Sequence, residues 1–485
     1  MIVGSPIMAR PDDRGDAPAV IATGAGLSRD EFRSIAEDMA ARARWSCPDG
    51  GRGGVIGIVA TPAPEMLAVF TGLAAAGWCV GVLDPGWTPS ETAAALAQLD
   101  PSAILVDSAS RVDGLLHEDV EAEDAGRGWT AFVRRGCRSA PHRPSADTPF
   151  YAGFTSGSGG RPKTFVRSHG SWWRSFDGFG AWVGTDAAAT AIIPGPLAGS
   201  HFLFGALHAL HAGAPVVLTA PSRLEAAVAE HPGCAVYVVP AMLPALCAAP
   251  VSPAAVFCAG AALAPSLAER FRNAHPRARL VEYYGASELS FVTIRDHADD
   301  APDGTAGQAF PGVEISVRDE SGEDVPAGTV GTIFARSALV FDGYRGRPPE
   351  SGARTIGDGW WTVGDRGALD RDGHLTVAGR GTSLIICGGV NIQPEEIEAA
   401  LVDHPDVAAC AVVGLPHPRW GEQVCAVIQA ASGKAPDRGG LRTHLAARIS
   451  STKRPHRYVF TDEPLPRLNG GKPDRRAIRD RLLKA

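Results

Sequence analysis

Residues 153–164 read GFTSGSGGRPKT, packing hydroxyls, four glycines, an Arg and a Lys into one short stretch after the aromatic pair Phe150-Tyr151. Glycine lets backbone N–H groups approach a ligand with no Cβ in the way. Hydroxyls and cations add donors and positive charge, so the stretch suits a polyphosphate. It is neither of the two common phosphate loops. The pattern GxxxxGK[ST] needs Gly before its Lys, where Pro162 stands without an N–H. The dinucleotide pattern GxGxxG is missing. A flexible Gly/Ser linker is the plain alternative, and the rest of the chain weighs against it.

Four further segments make sense beside a bound ATP. Glu282–Glu288, EYYGASE, begins where the apolar run Arg279–Glu282 predicts the end of a parallel strand, and ligands of parallel sheets bind beyond such ends. Tyr284 offers a flat face for adenine, Gly285 a tight turn and Glu288 a hard oxygen for Mg²⁺. In TVGDRGALDRDGH, residues 362–374, Asp365 accepts only and suits a pair of ribose hydroxyls. The segment GRGTSLIICGGVNIQPEEIE, residues 379–398, brings Arg380 within reach of a ribose or phosphate. In PRLNGGKPDRRAI, residues 466–478, Lys472 follows two glycines. Taken singly, each reads as an ordinary turn, turn carboxylate or solvated lysine. Their occurrence together gives them weight.

The elements that must position these groups follow from the apolar pattern. Candidate strands are Val55–Ala60, Cys79–Leu83, Ala103–Val106, Ala191–Ile193, Pro215–Leu218, Val236–Val239, Ala255–Cys258 and Arg279–Glu282. Helix-like segments such as Leu67–Ala76, Pro89–Gln98, His201–His211 and Ala264–Ala274 alternate with them, which predicts parallel sheets covered on both faces. After about Gly304, Gly-rich and Asp-rich turns punctuate short strands (Val313–Arg318, Thr329–Ala335, His374–Ala378), as in a smaller antiparallel sheet or barrel. Beyond Gly379 come strand Leu384–Ile386, helix Pro394–Val402, strand Ala408–Leu415 and a helix after Lys472. The expected division is a body of residues 1–378 and a smaller unit of residues 379–485.

Composition narrows the class. With 485 residues the chain exceeds one ordinary domain. A net charge of −7 gives no whole-chain attraction to nucleic acid or anionic membrane. Nine dispersed cysteines without a CxxC pair argue for a reducing compartment and against a zinc site or disulfide frame. The N-terminal segment lacks a signal-peptide core, and Gly77 splits the uncharged run Leu67–Leu83, so a cytoplasmic protein without a membrane span is expected.

Together the motifs identify a resemblance to the adenylate-forming superfamily: acyl- and aryl-CoA synthetases, the adenylation domains of peptide synthetases, and firefly luciferase. It covers nearly the whole chain, from Leu27–Ala40 to Lys472. It implies an α/β fold, with a large N-terminal domain of two parallel-rich sheets plus a distorted β-barrel and a small mobile α+β C-terminal domain. Thr155, Ser156, Gly157, Ser158, Gly159, Gly160 and Lys163 match the family's phosphate loop, and Gly260 with Ala261 the strip against adenine. Tyr284 matches the stacking aromatic beside Gly285, Ser287 the residue near the α-phosphate, and Glu288, with Thr155, the magnesium site. Asp365 matches the ribose ligand, Arg380 the junction Arg, and Lys472 the lysine of the first half-reaction. Gly389 falls where the family closes a channel for the incoming thiol. His201 matches the mouth of the acyl pocket, with Trp172, Phe204 and Tyr283 as further pocket candidates.

Some positions depart from the pattern. Gly159 stands for Ser or Thr, Thr164 for Gly, Thr382 for the hinge Asp or Lys, and Ile386 for a Lys. A hinge residue need only absorb a backbone rotation, so Thr382 can serve. The lost charges leave the acceptor open. The resemblance implies ATP-dependent activation of a carboxylic acid to an acyl or aryl adenylate with release of pyrophosphate, then transfer to coenzyme A. The alternative acceptors are a carrier-protein phosphopantetheine in trans and a small amine or hydroxyl. A non-catalytic nucleotide module is disfavoured by the presence of Glu288, Asp365, Arg380 and Lys472 together. A serine hydrolase is disfavoured by the missing GxSxG elbow.

Overall fold

The computed structural model describes residues 3, 15–43, 54–110, 120–135, 143–155, 162–183, 190–346, 352–380, 384–431, 433–466 and 473–484. Short runs such as AII, VVL, AVYV and AVFC, buried almost throughout, form the inner strands of a nine-stranded sheet. In space its order is Gln308–Ala309, Ser290–Asp296, Arg279–Ala286, Ala255–Cys258, Ala235–Val238, Ala191–Ile193, Val216–Leu218, Pro18–Ala22 and Ala25–Ser28. The six strands from Arg279–Ala286 to Pro18–Ala22 are parallel, and the outer ones are antiparallel. Inner strands this apolar need cover on both faces.

The second sheet has eight strands, in the order Gly343–Tyr344, Lys163–Ser168, Pro149–Thr155, Cys79–Val82, Val55–Val59, Ala103–Asp107, Trp129–Arg134 and Val120–Gly126. Its four central strands are parallel. Gly77 has φ +91° and turns the chain from helix Pro64–Ala75 into strand Cys79–Val82, so the uncharged run folds as expected. Among the described residues no helix is long and apolar enough to cross a membrane. A third, antiparallel sheet of six short strands spans Val313 to Arg380. It occupies the region expected to form a distorted barrel, and the pairings among the described residues leave it open.

The fourth sheet is built from Ile385–Cys387, Val390–Ile392, Val407–His417, Gly421–Ala430 and Arg457–Thr461. Helices Pro394–Val402 and Arg438–Ala446 cover it around a separate core that includes Ile397, Leu401, Val412, Ile428 and Leu445. The molecule is thus mixed α/β, with a large N-terminal part and a smaller C-terminal one.

Candidate active site

Strand Pro149–Thr155 pairs antiparallel with Lys163–Ser168, and the last matched pair is Thr155 with Lys163. The Gly/Ser stretch therefore connects the two arms of a hairpin, with Thr155 and Lys163 at its base. Ser156, Gly157, Ser158, Gly159 and Gly160 lie outside the described residues. The Thr155 hydroxyl is buried and has no hydrogen-bond partner among the described residues. On the other side of Lys163–Ser168 runs Gly343–Tyr344. The Tyr344 hydroxyl donates to Glu288 Oε1 at 2.7 Å, and Phe341 N donates to the Glu288 carbonyl at 2.9 Å. These bonds tie the buried Glu288 carboxylate to the sheet that carries the hairpin.

Tyr284 and Asp365, separated by 81 residues in sequence, are joined directly: the Tyr284 hydroxyl donates to Asp365 Oδ2 at 2.8 Å. Strand Arg279–Ala286 carries the tyrosine to the carboxyl end of the first sheet and turns back into Ser290–Asp296. Gly285 is required there, because a Cβ would lie 2.0 Å from the Ser290 carbonyl oxygen. Asp365 opens a strand of the third sheet, paired with Arg380, whose side chain lies outside the described residues. Ser287 is half-buried, and its carbonyl accepts from Arg167 at 3.4 Å.

Gly260 and Ala261 follow strand Ala255–Cys258 in the same sheet. Leu263 N donates to Glu282 Oε1 at 3.3 Å, and His297 Nε2 meets the other oxygen of that carboxylate at 3.0 Å. The 260–263 strip is thereby anchored to the tyrosine strand. The turn Gly388–Gly389 of the smaller part reaches this strip. Gly389 has φ +83°, and a Cβ on it would sit 2.6 Å from Val239 Cγ1. Its carbonyl oxygen lies 3.9 Å from where a Cβ on Gly260 would be. Only glycine allows so close an approach.

Behind these groups lies an aromatic wall. His201 Nδ1 hydrogen-bonds the Tyr283 hydroxyl. Burial holds the His201 imidazole down to about 4, with the Val238 backbone opposing, and raises the Tyr283 phenol well above its ordinary range. Both groups are therefore uncharged near neutrality. Trp172 and Phe204 stack with ring centres 6.2 Å apart, and Phe291 joins Phe204 to Tyr283 at 4.9 and 4.7 Å. All four predicted pocket residues thus belong to one continuous set of rings.

Residues 8–345 match the family model described as AMP-binding enzyme, and residues 396–472 match its C-terminal domain. The chain belongs to the AMP-binding enzyme family. An uncharacterized acyl-CoA ligase of Bacillus subtilis, YhfT, is 35% identical over 84% of this chain and 83% of its own length. The indoleacetate–CoA ligase of Aromatoleum aromaticum is 32% identical over 84% of each. Among solved structures, the amide bond synthetase McbA of Marinactinospora thermotolerans superposes with a TM-score of 0.81 at 25% identity, over 99% of both chains. As a family member the chain is an ATP-dependent, AMP-forming ligase of the adenylate-forming superfamily that activates a carboxylic acid.

In this AMP-binding enzyme the structure brings together Thr155, Lys163, Ser287, Glu288, Tyr284, Asp365, Gly260 and Gly389 through the pairings above. Thr382 and Lys472 lie outside the described residues. Sequence reading missed Arg167, a guanidinium only 5% exposed that donates to the carbonyls of Leu339 (2.7 Å), Ser171 (3.4 Å) and Ser287 (3.4 Å). Burial pulls its pKa down to about 10, while Asp342, Tyr151 and Glu288 oppose that shift. A charged residue directly after the apolar pair Phe165-Val166 of one strand was the available signal. Tyr344 was missed too, because its two-residue strand has no periodicity to read.

Proposed function

We propose that this enzyme converts an aryl or short arylalkyl carboxylic acid to its adenylate and passes the acyl group to the thiol of coenzyme A. The observation that carries the reading is the junction of Tyr284 with Asp365 beside Glu288 and the Thr155–Lys163 hairpin base. Tyr284 presents its ring to adenine while its hydroxyl orients Asp365 toward the ribose. Lys163 and Thr155, at the base of the hairpin, face the outer phosphates, and Ser287 faces the α-phosphate. The substrate carboxylate attacks the α-phosphorus. As that P–O bond forms, the bond to the β-phosphate breaks and pyrophosphate leaves with its electron pair. Both reactants are anions, so the positive charge of Lys472 is needed where the new bond forms.

The donor set fits Mg²⁺. Glu288 offers a buried carboxylate and Thr155 a buried hydroxyl that is unpartnered among the described residues, both hard oxygens. No cluster of three or more His, Cys, Asp or Glu suited to a metal exists among the described residues, and Glu288 with Thr155 would hold the ion. When bound, it would neutralise charge on the departing pyrophosphate.

In the second step the thiol sulfur attacks the adenylate carbonyl and AMP departs, with Gly389 bordering the thiol's approach. The joint after strand Leu375–Arg380, with Arg380 and Thr382, supplies the motion between steps. The aromatic wall around His201 and Tyr283 supports an aryl acid, as does the indoleacetate substrate of the Aromatoleum aromaticum relative. An amine acceptor is the second reading, favoured by Ile386 in place of a Lys and by the amide bond synthetase neighbour. Pyrophosphate release measured across aryl, short aliphatic and fatty acids tests the first step. Product analysis with coenzyme A, or with a panel of primary amines, then tests the acceptor. Release with fatty acids alone would reject the aryl reading, and amides without thioester would reject the thiol.

A further inference from the structure

Lys453 lies in the short helical turn Ser451–Lys453 of the smaller part, yet its ammonium reaches into the body. Its Nζ is 3.0 Å from Glu91 Oε1 and 2.8 Å from Glu396 Oε1. The side chains are 16%, 9% and 7% exposed, so this is a nearly dry ion triad across two domains. Glu91 belongs to helix Pro89–Leu99 of the body and Glu396 to helix Pro394–Val402 of the smaller part.

Two features separate the triad from ordinary stabilisation. The body does not need Lys453 to form its helix. The other oxygen of Glu91 already accepts from Thr88 N at 2.8 Å and Thr88 Oγ1 at 2.9 Å, completing a capping box. A buried ion pair also adds little net stability over apolar packing, whereas removing one partner is costly. Such a bridge is sensitive to geometry and suited to selecting one arrangement. Burial pushes Glu396 up while Lys453 pulls it down, and the ammonium is held above its ordinary range by both carboxylates against its own burial.

The arrangement it selects bears on the site. Glu396 is the third residue of a helix that directly follows the hairpin Ile385–Cys387 and Val390–Ile392, whose turn is Gly388–Gly389. That turn rests on Val239 and Gly260. Glu91 follows strand Cys79–Val82, which runs parallel beside Pro149–Thr155, so the triad lies at the sheet end from which the Thr155–Lys163 hairpin projects. The smaller part is therefore held at the carboxyl ends of both parallel sheets at once.

We propose that Lys453 is a positioning residue, bridging Glu91 and Glu396 to hold the Gly388–Gly389 turn on the nucleotide strip during acyl transfer. The proposal rests on the reading above, in which Gly389 and Lys472 serve different steps at one site. The triad then sets the balance between those steps.

The test uses the full-length enzyme with spin-label residues genetically encoded at the exposed positions Val330 and Val402. Wild type gives one dominant distance, the one in this structure. Glu91→Gln, which keeps the cap, and Lys453→Met shift or broaden that distribution, and Lys453→Arg retains it. With the acid identified by the pyrophosphate screen, both loss variants leave pyrophosphate–ATP exchange within about twofold and slow transfer from the preformed adenylate about tenfold or more. Lys453→Arg restores transfer. Unchanged distances in both loss variants, or equal loss in both half-reactions, overturn the proposal. If wild type makes amide and no thioester, the thiol reading fails alone, and the triad is then judged by transfer to that amine and by the distances.

Discussion

Asp365 is held by the hydroxyl of the very tyrosine whose ring is assigned to adenine, so these two proposed nucleotide ligands form one hydrogen-bonded pair. Asp365→Ala removes an acceptor for ribose and leaves the Tyr284 hydroxyl without this partner. The expected result is a rise of about tenfold in the KM for ATP, the scale of one charge-assisted hydrogen bond, measured by pyrophosphate release against ATP concentration. Lys472→Ala is expected to slow adenylate formation by about 10²-fold or more, while transfer from a supplied adenylate is largely spared. Full pyrophosphate exchange in that variant would refute the role of the lysine. Tyr284, Glu288, Asp365 and Gly389 could be proposed from the sequence because their residue types are distinctive within short motifs. Lys453 was not, since its partner Glu91 is 362 positions away and neither belongs to a motif.

Helix Ser200–Ala212 carries His201 and His208 into the aromatic wall, where His208 is buried and His201 half-buried. Burial lowers His208 to about 3, assisted by His211, and His201 to about 4. The unfolded chain takes up these protons near pH 6.5 and the folded one does not. Stability must therefore fall as pH drops from about 6.5 toward 4. Replacing His208 with Gln removes one such group, so its denaturant midpoint should fall less than that of wild type between pH 7.5 and pH 5. An equal fall would show that His208 titrates alike in both states. The turn after strand Arg279–Ala286 gives a second expectation. Gly285→Ala places a Cβ against the Ser290 carbonyl and should cost about 1–3 kcal/mol in urea titration. At this scale the sequence was readable where a strand is buried on both faces, as in AVYV and AVFC. Strand Val120–Gly126, VEAEDAG, was invisible because it is a largely exposed acidic edge whose place is fixed only by pairing with Trp129–Arg134.

Across the whole molecule, the core of the fourth sheet shares none of its buried members with the main core. Among the described residues the parts meet at the triad and at the Gly389 turn, and their two cores have no buried member in common. Separate cores joined by a polar bridge should unfold separately. Differential scanning calorimetry is expected to show two transitions, the smaller with an enthalpy of about 70 kcal/mol, as for a unit of about 100 residues. On the proposed reading ATP binds the body, through Asp365, Tyr284 and the Thr155–Lys163 hairpin, so it should raise the larger transition by mass action. The smaller transition should move only as far as the bridge couples it. Lys453→Met should weaken that coupling and lower the smaller transition while leaving the larger in place. A single transition, with calorimetric and van't Hoff enthalpies equal, would mean that the two cores fold as one cooperative unit and that rotation between half-reactions cannot rest on their independence.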